Sequence, residues 1–296
     1  MLKINFYVCV SDINRNIYKC VKSIANQNNL NKIELCIIEN SKKSTINKLQ
    51  IKKILKSKNI KIKFYTEKKI GIPFARNKCL EIIRKSKSDL SCFIDDDCEL
   101  SQNWLKNMLK IYKKNTSLII TGPQISKTKN IYEIVLERKA NHNERLKWAA
   151  TNNVLIDTKI IQKNLIQFDE KLKNLGGSDQ LFFLKLYLEG SNIIWNKYSP
   201  VFEKRDKYKS NFYWFVKRNA RYGSSSKIIY SKLYSPLKAI SLTFLKFIYE
   251  FLKSFYFLIL CPISPKKNFL YFIQFLVRSV STLLSILNIQ FNEYKT

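Results

Sequence analysis

The stretch Leu90-Ser91-Cys92-Phe93-Ile94-Asp95-Asp96-Asp97-Cys98-Glu99 runs a short apolar segment straight into a cluster of carboxylates. Adjacent carboxylates repel one another and are costly to strip of water without a compensating cation. A β-strand that delivers such a cluster therefore points to a divalent metal held against a phosphorylated ligand. If the chain stays extended, Asp95 and Asp97 share one side and Asp96 takes the other. Two oxygen ligands on one side suit Mg2+ or Mn2+, which bind a few carboxylates and complete their shell with water and phosphate oxygens. The competing reading is a solvated acidic turn, and the surrounding residues weigh against it.

Outward from this stretch, strand-like and helix-like patterns alternate through the first half of the chain. Ile4 to Val10 is rich in β-branched and aromatic residues, and Ile17, Cys20, Val21 and Ile24 follow at helical spacing. Glu34 to Ile38 reads as a second strand ending in Glu39-Asn40-Ser41, and about Thr45 to Leu55 as a Lys-rich helix. Ile60 to Tyr65 alternates as a strand, Pro73 to Lys85 is helical after a turn at Gly71, Trp104 to Tyr112 is helical, and Leu118 to Thr121 is a strand. Strands separated by helices of ten or so residues predict a mainly parallel sheet covered on both faces. Ligands of such sheets bind beyond the carboxyl ends of the strands, where Glu39 and the aspartates fall. In the second half, Asn153 to Asp157 and Ile193 to Trp195 read as strands, and a helix follows Gly176-Gly177-Ser178-Asp179 through Leu188.

The 296 residues, 46% hydrophobic and 13% aromatic, are enough for a folded chain with a sizeable core. The formal net charge of +31 favours anionic partners: nucleic acid, anionic lipid or a nucleotide diphosphate. The lysines are nonetheless spread along the chain. With the abundant Asn and Ile they match a coding bias toward A/T-rich codons, which makes many of them ordinary solvated side chains. The seven cysteines are scattered with no C-x-x-C pair and read as small buried hydrophobes in a reducing compartment. The segment after Met1 leads directly into a strand pattern, so the chain is expected in the cytoplasm. His142 is the only histidine, which argues against a His-ligated zinc site or a Ser-His-Asp triad; its polar neighbours place it at the surface.

Four segments occur in a set order: Ile37-Ile38-Glu39-Asn40, then Gly71-Ile72-Pro73-Phe74-Ala75-Arg76-Asn77, then the aspartate strand with Trp104-Leu105 after it, then Gly176-Gly177-Ser178-Asp179. Thr121-Gly122-Pro123, Thr151 to Ile156, Phe168-Asp169, and Val201-Phe202-Glu203 followed by Trp214 and Arg218 to Gly223 extend the pattern. Over about residues 4 to 225 the chain resembles family 2 glycosyltransferases of the GT-A fold, in particular the branch that builds bacterial surface polysaccharides, the succinoglycan type. The resemblance implies an α/β, Rossmann-like mixed sheet with helices on both faces, and the apolar residues beyond it are read as a C-terminal helical tail, dividing the chain at 1–230 and 231–296. It implies an inverting transfer of sugar from a nucleotide-diphosphate donor to a glycan or lipid-linked acceptor.

The resemblance also implies roles. Glu39 stands where the family usually has Asp and would contact the base or ribose. Arg76 and Asn77 would contact the nucleotide; an arginine suits phosphate or carboxylate through its forked donors. Asp95, with Asp96 beside it, would approach the ribose or uracil, and Asp97 would hold Mg2+ or Mn2+, with Asp95 and Glu203 as further candidate ligands. Glu203 has an alternative partner in Arg205. Gly177 would let the sugar approach closely, and Asp179 matches the catalytic base. Ser178 replaces the family's usual Glu. Arg218 and Arg221, three apart on a helix, would face the leaving diphosphate. For Gly176 to Asp179 the plainer alternative is a loop with Asp179 as the N-cap of the next helix.

Leu237 to Leu258 and Phe269 to Phe291 are strongly apolar but carry Lys238, Lys246, Glu250, Lys253 and Arg278. Those charges make a centred transmembrane span expensive. The reading is an interfacial helix pair on the cytoplasmic face of the membrane, aromatics toward the lipid and lysines toward anionic headgroups. The alternatives are a helical pair packed on the catalytic domain and a hairpin through the bilayer. The rival functions are a metal-dependent nucleotidyltransferase, which lacks a Gly-rich phosphate loop near the first strand, and a basic nucleic-acid-binding protein, supported by charge alone. No nucleic-acid partner is expected.

Overall fold

A computed structural model describes residues 1–11, 17–27, 32–42, 46–56, 58, 60–114, 118–128, 130–204 and 210–291. They form two compact units, one of Met1–Lys127, Arg138–Glu170 and Phe182–Lys204, the other of Thr128–Glu137, Lys171–Leu181 and Arg205–Thr296.

The first unit opens with β1 (Lys3–Val10), α1 (Ile17–Ala25), β2 (Lys32–Glu39), α2 (Lys48–Lys56), β3 (Lys61–Thr66), α3 (Ile72–Lys85) and β4 (Leu90–Ile94). It continues with β5 (Cys98–Leu100), α4 (Trp104–Tyr112), β6 (Leu118–Thr121) and β7 (Gln124–Ser126). In the second unit, α5 spans Ile131–Leu136. The first unit resumes with β8 (Arg145–Leu146), β9 (Asn153–Asp157) and α6 (Thr158–Lys163). Helix α7 (Ser178–Leu188) has its first turn in the second unit and the rest in the first; β10 (Asn192–Trp195) and β11 (Val201–Glu203) follow.

The main sheet has the order β3-β2-β1-β4-β9-β6-β10-β8. Strands β3, β2, β1 and β4 are parallel; β9 runs antiparallel between β4 and β6. The sheet is thus mixed. The two-residue period of the strands splits the core into two layers. Phe6, Val8, Leu35, Ile37, Cys92 and Leu155 pack on one face with α1, α2 and α4. Tyr7, Ile38, Phe93, Val154 and Ile156 pack on the other with α3, α6 and the later part of α7. The short strands β5, β11 and β7 make a separate three-stranded sheet. Three-residue strands carry too little periodicity to be read in advance, so sequence patterning does not reveal this sheet.

The second unit adds α8 (Phe212–Ser224), α9 (Ser226–Ser231), α10 (Pro236–Ile259) and α11 (Pro265–Ile286). Asn211 caps α8, its side-chain oxygen accepting from the Trp214 N–H at 2.8 Å. Helix α11 packs against both α10 and α8, with α5 beside it.

The cysteines are free thiols, as expected, five of them buried. His142 is partly exposed, its ring edge-on to exposed Tyr198 at 4.7 Å.

One buried amide ties several segments of the first unit together. Asn153 Oδ1 accepts from Trp104 Nε1 at 2.7 Å, and its Nδ2 donates to the carbonyls of Pro123 and Ser199, each at 2.9 Å. Replacing Asn153 with Ala strands these buried partners, and a buried unsatisfied group costs about 1–3 kcal/mol. Asn153→Ala should therefore lower the urea midpoint by the equivalent of at least about 2 kcal/mol. A wild-type midpoint would show that the network carries no stability.

Candidate active site

Every residue of β4 is buried, so the strand ends where its charged continuation reaches solvent. The chain does not stay extended past Ile94. Asp95 to Cys98 form a turn closed by the Cys98 N–H donating to the Asp95 carbonyl at 3.1 Å. The alternation expected of Asp95, Asp96 and Asp97 is therefore replaced by a turn, because Cys98 must reverse into β5 to pair with β11. All three aspartates are half-exposed. The carboxylates act on two buried thiols. Burial raises the Cys20 thiol well above its ordinary value, and Asp96, Asp97, Asp95 and Glu99 add to it. Burial raises the Cys98 thiol likewise, with help from Asp97, Asp95 and Glu203. Neither offers a thiolate.

Arg76 joins this turn. It is a buried side chain of α3, its Nη2 3.6 Å from Asp95 Oδ1 and its guanidinium carbon 5.7 Å from the centre of the Phe168 ring. Its helix starts where Asn40 places it. Asn40 donates to the carbonyls of Glu67 (3.1 Å) and Lys69 (2.7 Å), and its Oδ1 accepts from the Gly71 N–H (2.8 Å). The ordered motifs give Asn40 no role of its own; its place directly after Glu39 at a strand end is the signal that marks it.

Asn77 grips a peptide far away in the chain. Its Oδ1 accepts from the Phe168 N–H at 2.8 Å and its Nδ2 donates to the Phe168 carbonyl at 3.0 Å. It braces the peptide whose ring supports Arg76. Glu39 is buried at the end of β2, its Oε2 3.3 Å from Lys48 Nζ of α2, a partner sequence reading did not foresee.

Strand pairing brings Glu203 to the aspartate turn: β11 sets Glu203 opposite Cys98 of β5. Gln124 Nε2 donates to Glu203 Oε2 at 2.8 Å, and Gln124 in turn accepts from Asn152 Nδ2. Arg205 lies outside the described residues. Among the described residues no three His, Cys, Asp or Glu side chains form a ready-made metal cage. Asp95, Asp97 and Glu203 are thus not drawn together as one ligand set; Asp95 turns to Arg76 and Glu203 to Gln124. What the turn offers is three half-exposed carboxylates, Asp95, Asp96 and Asp97. That donor set fits Mg2+ or Mn2+, which bind through one or two carboxylates and take their other ligands from phosphate and water.

In the second unit Gly176 and Gly177 have φ of +74° and +80°, a backbone that side chains rarely adopt. A Cβ on Gly176 would lie 2.8 Å from Arg221 Nη1, and one on Gly177 2.9 Å from Ile229 Cδ1. In this structure the glycines leave room for Arg221 and Ile229. Ser178 already begins α7, so Asp179 sits inside the first turn and is not its N-cap. Ser178 Oγ donates to Asp179 Oδ1 at 3.4 Å. Arg218 Nε donates to Tyr222 Oη at 3.1 Å. The guanidinium carbons of Arg218, Arg221 and Arg278 lie 5.4, 5.2 and 5.1 Å from the Tyr222 ring centre. Arg278, read from sequence only as a charge within an apolar segment, is thus a third member of this cluster.

The succinoglycan biosynthesis protein ExoM of Rhizobium meliloti (strain 1021) is 25% identical over 162 residues, 52% of this chain and 52% of that protein. The chain therefore spans about half the length of the curated relative it matches. S. aureus TarS 1-349, solved in complex with UDP-GlcNAc, aligns at TM-score 0.54 with 17% identity, covering 75% of this chain and 66% of that one. GalNAc-T7, solved with UDP, GalNAc and Mn2+, aligns at TM-score 0.52 with 15% identity, covering 74% and 51%. These likenesses show the α/β fold, with its mixed sheet, as GT-A. The sequence model described as Glycosyl transferase family 2 matches residues 7–168, more than half of the chain and all of the segment from Glu39 to the aspartate turn. The chain belongs to glycosyl transferase family 2.

Proposed function

We propose that this protein is an inverting glycosyltransferase that moves a sugar from a nucleotide-diphosphate donor to a glycan or lipid-linked acceptor in surface polysaccharide synthesis, at the cytoplasmic face of a membrane. The observation that carries the proposal is the half-exposed aspartate turn at the carboxyl end of β4, with buried Arg76 beside Asp95. It lies where ligands of open α/β sheets bind. The UDP-GlcNAc complex of TarS and the UDP and Mn2+ complex of GalNAc-T7 support a UDP-sugar donor and a divalent metal.

In this reading Asp97, with Asp95 as second candidate, would hold Mg2+ or Mn2+, and a metal bound there supplies Lewis-acid stabilisation of the departing diphosphate. Asp95 and Asp96 face the nucleoside, and Arg76 balances the carboxylates. Glu39, held by Lys48, faces the base or ribose. Asn77 acts by positioning Phe168, and Glu203 supports the turn through β11. Asp179 takes the proton from the acceptor hydroxyl as that oxygen attacks the anomeric carbon; the bond to the diphosphate breaks and its electron pair leaves with the nucleotide. Gly177 sets the backbone before Asp179, and Arg218 and Arg221 attract the diphosphate charge.

Two variants test the assignments. Asp97→Ala should abolish Mn2+-dependent binding of UDP in calorimetry; wild-type affinity would overturn Asp97 as a ligand. Asp179→Asn should bind UDP with Mn2+ like wild type yet lose transfer by ~10²–10⁴-fold, the usual worth of a positioned base. Retained turnover in a folded Asn variant would place the base elsewhere.

A further inference from the structure

We propose that the outward face of α10 is a docking surface for an anionic lipid bilayer, seated in the interface without crossing it. The proposal rests on the membrane-facing reading above and assigns it to one helix, one orientation and one lipid chemistry.

The C-terminal helices bury their polar residues and expose their apolar ones. On α10 the buried positions are Ala239, Thr243, Glu250 and Ser254; on α11 they include Gln274, Ser279, Ser281, Thr282 and Ser285. The exposed positions of α10 include Leu237 (82% exposed), Leu245 (60%), Leu252 (63%) and Ile259 (76%), with Phe244 and Phe255 between them. A soluble amphipathic helix has the opposite arrangement. The helix is 24 residues long, about 36 Å, and an apolar strip roughly 10 Å wide along it covers roughly 360 Å². The largest apolar patch on a typical monomer is about 300–600 Å² and is often functional.

Three of the charges that argue against lipid contact, Lys246, Glu250 and Arg278, are turned away from this face. Lys246 Nζ lies 3.7 Å from Glu250 Oε1 and donates to Ser226 Oγ at 2.5 Å. Thr282 Oγ1 donates to Glu250 Oε2 at 3.0 Å, and Arg278 Nε donates to Asn219 Oδ1 at 2.7 Å. Lys253 Nζ stands 4.6 Å from the Phe275 ring centre. Lys246, expected to meet headgroups, instead faces its own helical partners, whereas Lys253 also donates to the hydroxyl of exposed Tyr249 at 3.0 Å and stays at the headgroup boundary. The Lys246–Ser226 and Glu250–Thr282 bonds form a polar seam that holds α10 to α9 and α11 and leaves its outer side apolar.

Packing also decides between lying and spanning. By length and composition α11 could cross a membrane. Its side toward α8 is closed at Gly223, where an added Cβ would collide with the Arg278 carbonyl oxygen. Lipid cannot surround a helix held that closely to α8. The accessible apolar side belongs mainly to α10, which makes the attachment monotopic.

The occupant follows from charge. Exposed Lys232 and Lys238 stand near one end of the apolar strip and exposed Lys266 and Lys267 near the other. A second copy of this chain would bring the same cationic rim and a net charge of +31. Anionic headgroups neutralise that rim, and exposed Tyr249 and Tyr256 suit the headgroup boundary.

The test uses the full chain with phosphatidylcholine vesicles, with and without phosphatidylglycerol. Wild type should co-sediment with the anionic vesicles, bind neutral ones more weakly and be partly released by salt. Leu245→Glu combined with Leu252→Glu, at two already exposed positions, should keep the melting temperature and UDP binding but lower vesicle partitioning by at least about tenfold. Phe255→Trp should gain fluorescence that brominated lipid quenches. If wild type ignores all vesicles, the membrane reading falls together with this one, and UDP binding in the same samples keeps the donor-site reading separate. Equal binding by the double variant, or an unquenched signal from the Phe255→Trp variant, overturns the assignment to α10. A wild-type dimer that the double variant dissolves would make the face a self-interface and overturn the proposal.

Discussion

The turn from Asp95 to Cys98 is where the main sheet and the small sheet of the first unit meet. β4 is hydrogen-bonded to β1 on one side and β9 on the other and is buried throughout. Its carboxylates cannot continue into that environment, because desolvating adjacent negative charges is too costly. The chain must leave the sheet at Ile94, and β5 sets its direction by pairing with β11. From this one constraint follow the half-exposed aspartates, the arrival of Glu203 beside Cys98, and the place for Arg76. Glu39 obeys the same rule two strands away: it is buried, and Lys48 stands beside it.

Asparagine side chains hold the frame around that turn. Asn153 joins Trp104 to the Pro123 and Ser199 backbone, Asn77 grips the Phe168 peptide, and Asn40 holds the segment before α3. Each reaches backbone groups distant in sequence. A primary amide both donates and accepts, so one buried side chain satisfies several peptide groups that an apolar residue would strand. An abundance that composition alone ascribes to codon bias thus includes residues with defined structural work.

The second unit is held by a different balance. Its long helices meet through serine, threonine, a Lys–Glu pair and an arginine, with close backbone approach at Gly223. Hydrogen bonds between helices are worth most where water is scarce. Tyr222 gathers three guanidinium groups over one ring, two from α8 and one from α11, and so links the predicted Arg218 and Arg221 to the C-terminal helices.

The sequence by itself determined the layered α/β architecture, because apolar periodicity is a local property and the strands and helices around the aspartates are long enough to show it. It also marked Glu39, Arg76, Asp95 to Asp97, Gly177 and Asp179 through ordered motifs. Only the tertiary structure decided how those residues are employed. The turn after Ile94, the Phe168 grip of Asn77, the Arg221 contact at Gly176 and the pairing that brings Glu203 to Cys98 all join residues far apart in the chain or depend on strands too short to carry a pattern. The direction in which α10 faces was equally hidden. Its composition is apolar with scattered charges, and which side is buried depends on the polar partners that α9 and α11 present, a fact of packing that no single segment encodes.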